Sequence, residues 1–109
     1  MNIDLLLENQ RKFFRSGATL PVEFRISMLK KLQSAVEQHE ADISAALKAD
    51  LGKSDFEGFM CEIGMVKSEL SYLIRHTRRF AAKRRVHTPL AQFASSSYQM
   101  PTPYGNVLI

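Results

Sequence analysis

Cys61 is the one thiol in the sequence and the first residue to weigh as a nucleophile. A cysteine attacks as its thiolate, which forms near neutral pH only beside a cation, a histidine or a helix N-terminus. Cys61 has Phe59, Met60 and Ile63 around it and no histidine near in sequence. It reads as a packed or half-exposed small hydrophobe. His39, His76 and His87 have no ligand-like spacing with one another or with Cys61, so no metal centre is expected. Glu57, Glu62 and Glu69 are separated by steps of five and seven. Those steps do not bring all three to one helix face, and exposed carboxylates are the ordinary reading. There is no G-x-G-x-x-G and no P-loop. The run RHTRRFAAKRRVH places six cations between Arg75 and Arg85, enough to neutralise several phosphates. Only Phe80 interleaves as an aromatic, and no helix-turn-helix or zinc spacing is visible. The plainer reading is a cationic helix end, favoured by the helix dipole, leading into a basic loop. On residue chemistry alone, no catalytic, cofactor-binding or metal-binding residue is assigned.

The background composition is globular. With 45% hydrophobic and 24% charged residues, the 109-residue chain is suited to one domain and is not the composition of a disordered segment. Residues 1–69 carry 9 Lys/Arg against 11 Asp/Glu, whereas residues 70–109 carry 6 Lys/Arg and no acid. A single cysteine excludes an intramolecular disulfide. The N-terminal MNIDLLLENQRKFF lacks the apolar core of a signal peptide, and no stretch approaches a membrane span. A cytoplasmic location is the default expectation.

The elements that would position these residues are mostly helices. The first is expected from about Ile3 to Arg15, with Asn2 as N-cap and Ser16-Gly17 as stop. Pro21 suits the first turn of a second helix. Phe24, Met28, Leu32 and Val36 recur every fourth residue and predict a buried stripe, which Ile43, Leu47 and Leu51 extend to a stop at Gly52. QHEAD near 38–42 is polar enough for a break. Ser54 and Glu57 have capping-box spacing. Behind them Phe56, Phe59, Ile63, Val66, Leu70, Leu73, Thr77 and Phe80 alternate steps of three and four, predicting one long amphipathic helix. Gly58 and Gly64 lie inside it at some cost, which close packing of a neighbour would explain. After Val86, ASSSYQM and YGNVLI read as short strands bounded by Pro101 and Pro103. The expected fold is therefore mainly α, about four helices plus a short β tail. Residues 1–85 form the helical segment and 86–109 the loop and incomplete strands. The apolar Tyr104–Ile109 tail is expected to be frayed or paired with another chain.

Four stretches, in order, resemble the N-terminal part of aldehyde dehydrogenases of the class-three, or fatty-aldehyde, type. An F-x-x-G-x-T-x-x-x-x-x-R stretch is matched by Phe14, Gly17, Thr19 and Arg25. An A-L-x-x-D-L-x-K stretch is matched by Ala46, Leu47, Asp50, Leu51 and Lys53. A VHTPLAQF stretch follows, and then a P-x-G-x-V-L-x strand matched by Pro103, Gly105, Val107, Leu108 and Ile109. Phe80 and Asn106 depart from the residues common in the family.

The resemblance covers nearly the whole chain but only about the first quarter of such an enzyme. It implies an α/β parent that oxidises aldehydes to acids with NAD or NADP, as a cytoplasmic homodimer. It also implies that the family's cysteine nucleophile, glutamate base and oxyanion asparagine lie beyond Ile109. Cys61 and Asn106 do not match the nucleophile or that asparagine, so catalytic, cofactor-binding and metal residues all stand at none. The fragment is expected to be inactive alone, to take no cofactor and to self-associate through uncovered faces. The rival reading is a helical module that binds nucleic acid through Arg75 to Arg85.

Overall fold

The computed structural model describes residues 2–107. These residues fall into two compact units, one of Glu23–Thr77 and one of the residues before and after that span. The architecture is mainly α with a short two-stranded ribbon, in line with the sequence.

Helix α1 spans Ile3–Arg15. The Asn2 side-chain oxygen accepts the Leu5 N–H at 3.1 Å, satisfying one of the orphan donors of the first turn. Helix α2 spans Val22–Gln38, so Pro21 sits just before the first turn rather than within it. Helix α3 spans Glu40–Leu51. The break between α2 and α3 is a kink at His39, where φ is −104° and ψ 17°. Helical hydrogen bonds continue on both sides: His39 N–H donates to Ala35 O at 3.0 Å, and Ile43 N–H to His39 O at 2.9 Å. The break takes only one residue, which barely disturbs hydrophobic periodicity, so the pattern of apolar residues could not reveal it. Gly52 then closes α3 with φ +67°, its N–H donating to Lys48 O at 3.0 Å. That left-handed C-cap is the conformation a side chain resists.

Helix α4 spans Asp55–Gly58, a π-helical turn spans Phe59–Ile63, and α5 spans Gly64–Ala81. Together they run as one helix. The serine half of the expected capping box forms, with Ser54 Oγ accepting the Glu57 N–H at 3.2 Å.

The ribbon corrects the expected tail. Strand β2, Ser97–Gln99, lies within the stretch read as a strand. Its partner is β1, Arg84–Val86, which the sequence reading split between the end of the helical segment and the loop after it. The two pair antiparallel, with Arg84 opposite Gln99, Arg85 opposite Tyr98 and Val86 opposite Ser97. Arginine is a poor strand signal on its own. Here cross-strand pairing decides the conformation. Residues 101–107 form no strand. The expected terminal strand thus fails over Tyr104–Val107, and its last residues, Leu108 and Ile109, lie outside the described residues.

The buried faces match those expected only in part: Phe24 and Val36 of the α2 stripe and Ile63, Leu70 and Thr77 of the long seam are covered. Among the described residues the buried hydrophobic side chains are Ile26, Ile63 and Leu70. On α2 the covered side runs Val22, Ile26, Leu29, Gln33 and Val36. Met28 and Leu32 of the predicted stripe are 37% and 52% exposed. On the long helix the covered residues include Gly58, Glu62, Ile63, Gly64, Lys67, Leu70, Ser71, Ile74 and Thr77, while Phe56, Phe59, Val66 and Leu73 stay exposed. Both helices carry apolar residues on more than one side, and periodicity cannot choose which side meets a neighbour in the chain.

Candidate functional site

Within Glu23–Thr77, polar tethers fasten α2 and α3 to the long helix. Gln33 Nε2 on α2 donates to Ser71 Oγ on α5 at 2.9 Å. Lys67 Nζ on α5 donates to Glu40 Oε2 at the start of α3 at 3.0 Å. Lys53, just past the Gly52 cap, forms an ion pair with Glu62 in the π-turn. The Lys53 side chain is 19% exposed. The hydrogen bond that Lys53 donates to the Glu62 carboxylate raises the Lys53 pKa above its usual value, outweighing the opposite pull of burial. Ser44 Oγ on α3 donates to Asp55 Oδ1 of α4 at 3.0 Å. Ion pairs of this exposure contribute little each, but together they fix where α3 meets the long helix.

Two residues of the second family-like stretch bear on this junction. Lys53 makes the ion pair with Glu62, and a Cβ built at Gly58 would lie 3.5 Å from Leu47 Cδ1. The expectation that the helix glycines answer a close neighbour is met at Gly58, which is buried beside Leu47. Gly64 answers its own helix instead. Its N–H donates to Phe59 O, five residues back, and a Cβ there would sit 2.9 Å from that same oxygen.

The other unit holds a shallow apolar groove of about 480 Å³, lined by Leu6, Asn9, Gln10, Phe13, Phe14, Thr19, Gly105 and Asn106. Phe14 and Thr19 come from the first family-like stretch and Gly105 from the last. Asn106 Nδ2 donates to Gln10 Oε1 at 3.1 Å, fastening the tail to α1 across 96 positions of sequence. The sequence reading assigned the two stretches no contact.

The residues first weighed for chemistry are not brought together. Cys61 is exposed on the π-turn. His39 Nδ1 lies 3.0 Å from Asp42 Oδ2 on the same helix turn. His76 Nδ1 donates to Tyr72 O at 2.7 Å, and its ring stacks near the Tyr72 ring at 4.2 Å. Among the described residues no group of three or more His, Cys, Asp or Glu is placed to hold a metal ion. Glu57 and Glu69 are exposed, as read from sequence, but Glu62 is half-buried and paired with Lys53. The basic run is divided among elements. Arg75 Nε bonds back to Ser71 O at 3.2 Å, Arg79 lies 5.5 Å from the Phe80 ring centroid, and Arg84 and Arg85 sit on β1. Successive strand residues face opposite sides, so Arg84 and Arg85 do not form one cationic surface.

A doubly wound nucleotide-binding fold holds the diphosphate of a nicotinamide nucleotide on a glycine-rich turn between a parallel strand and a helix N-terminus. The residues described here do not fit it: the strands are an antiparallel ribbon, and no glycine cluster precedes a helix. No helix among the described residues is long and apolar enough to cross a membrane.

No protein-family model matches the chain. Individual relatives do. It is 36% identical over 101 residues to the 4,4'-diaponeurosporen-aldehyde dehydrogenase of Staphylococcus aureus, a match covering 93% of this chain and 22% of that protein. It is 36% identical over 107 residues to aldehyde dehydrogenase family 3 comG of Dictyostelium discoideum, covering 98% and 23%. It is 35% identical over 108 residues to the dimeric NADP-preferring aldehyde dehydrogenase of Canis lupus familiaris, covering 98% and 24%. A solved structure of Staphylococcus aureus AldH in its substrate-bound state superimposes with a TM-score of 0.90 at 33% identity, over 95% of this chain and 23% of that one. Sequence and structure therefore agree that the chain is a homologue of the aldehyde dehydrogenases. The type it matches is class three, family 3, of which it corresponds to the N-terminal part. It spans less than a quarter of the length of the curated relatives it matches.

Proposed function

We propose that this chain is the N-terminal part of an NAD(P)-dependent aldehyde dehydrogenase that oxidises aldehydes to carboxylic acids, working as a cytoplasmic homodimer. In this reading the chain is scaffold. The helical segment, expected over 1–85, runs to Ala81 and the β arm begins with β1 at Arg84, while the nucleophile, the general base and the nucleotide site belong to later parts of the enzyme. The observation that carries it is the superposition of 95% of the chain on an aldehyde dehydrogenase at a TM-score of 0.90. The uncommitted chemistry of Cys61 and the lack of fit to a dinucleotide support it. The test is a direct assay. The purified 109-residue chain, given NAD or NADP and a medium-chain aldehyde, is expected to form no NAD(P)H, whereas a longer gene product that includes it is expected to form it. Turnover by the 109 residues alone would overturn the reading.

The chain is further proposed to bind no nucleic acid and to self-associate when alone. Leu20 at 60%, Leu51 at 63% and Phe56 at 76% exposure leave apolar surface that a lone soluble domain seldom tolerates. Sedimentation at rising concentration is expected to show association, and a clean monomer would count against it. Titration with duplex DNA at two salt concentrations is expected to give no tight, salt-dependent binding.

A further inference from the structure

The π-turn at Phe59–Ile63 stands out because it interrupts a helix that is otherwise regular on both sides. Such turns arise when one extra residue is accommodated within a helix, and they recur at functional positions. The covered side of the long helix shows the extra residue. From Gly58 the next fully buried position is Ile63, a step of five with half-buried Glu62 before it, after which the steps are four, three, four and three through Lys67, Leu70, Ile74 and Thr77. In an α-helix each residue turns by about 100°, so a step of five would carry Ile63 well away from the side of Gly58. The wider π-turn absorbs the surplus and keeps both on one side.

Three features hold this register. Gly64 N–H makes the five-residue hydrogen bond to Phe59 O, and only a missing Cβ allows the approach, since an added one would lie 2.9 Å from that oxygen. The Phe59 ring lies over the open face of Gly64, 3.4 Å from where a Cβ would be, and 5.8 Å from the Lys67 ammonium. Glu62, within the turn, pairs with Lys53 beyond the end of α3.

We propose that Phe59–Ile63 is a register joint: it takes up one surplus residue and thereby sets which way the exposed apolar residues Met65, Val66 and Leu73 of α5 face relative to α3. Loss of the joint without loss of the residue rotates α5 by about one residue, or 100°, carrying Ile63 and Leu70 out of their packing. Removing a residue at the joint leaves every later side chain where it was.

Paired deletions in the 109-residue chain separate these cases. Deletion of the exposed Met60 is expected to leave a cooperative thermal transition within about 5 °C of the parent. Deletion of Ser68, exposed in the regular part of α5, is expected to abolish the transition. Gly64→Ala alone is expected to lower the transition sharply or abolish it. Gly64→Ala combined with deletion of Met60 is expected to restore it, because alanine is well tolerated in a regular α-helix. A double variant no better than Gly64→Ala alone, or a Met60 deletion as damaging as the Ser68 deletion, would overturn the joint. None of these readouts depends on dehydrogenase activity, so they stand or fall separately from the proposed function.

Discussion

Residues 23–77 and the residues outside that span both contain amphipathic helix, yet among the described residues only the first region has buried apolar side chains. Ile26, Ile63 and Leu70, the buried hydrophobic side chains among the described residues, all lie within it, as do the ion pairs of Lys53 and Lys67. The other unit holds α1, the β1–β2 ribbon and the tail, with contacts such as Asn106 to Gln10 and the Ser97 backbone N–H donating to Thr88 Oγ1 at 3.0 Å. Several of its large side chains stay in solvent, with Leu90 at 91% and Phe93 at 92% exposure. Local signals suffice to form a helix or a short ribbon. A core needs several apolar faces to meet, and residues 23–77 supply three helices that do so.

The contrast can be broken by mutation. The largest effect is expected at Leu70. Leu70→Ala should cost roughly 2–4 kcal/mol by urea unfolding, from lost burial and the cavity left behind. Gly52→Ala should cost about 1 kcal/mol or more, because it forces a side chain into the left-handed C-cap. Ser54→Ala should cost about 1 kcal/mol through the lost N-cap bond to Glu57. Lys53→Gln sharpens the comparison through pH. The Lys53 pKa is raised in the folded chain, so its pairing stabilises fully below its unfolded value near 10.5 and is lost as pH rises through the folded value. The urea midpoint of the variant should therefore lie slightly below the parent at pH 7, and the gap should close in the alkaline range. The smallest effect is expected from Phe93→Ser, within about 0.5 kcal/mol, since the side chain is already exposed. A Phe93→Ser cost as large as that of Leu70→Ala would show that the second unit has a core of its own.

Much of the local structure was legible in the residues. Asn2, Ser54 and Gly52 announce helix ends because capping is a short-range exchange of hydrogen bonds. The four family-like stretches pointed to the aldehyde dehydrogenases because each requires particular residue types at fixed spacing. The β1 strand was hidden because Arg84–Val86 becomes a strand only by pairing with Ser97–Gln99. The π-turn was hidden because Phe59, Ile63 and Val66 fit an α-helical period as well as they fit the observed turn.

The sequence by itself therefore determined the helix caps, the mainly helical content and the family likeness, all of which rest on neighbours close along the chain. Tertiary structure alone decided which faces of α2 and α5 are covered, that Lys53 meets Glu62 and that Asn106 meets Gln10. Those choices rest on contacts between distant residues. A helix with apolar side chains on more than one side leaves them open until a neighbour packs against one of them.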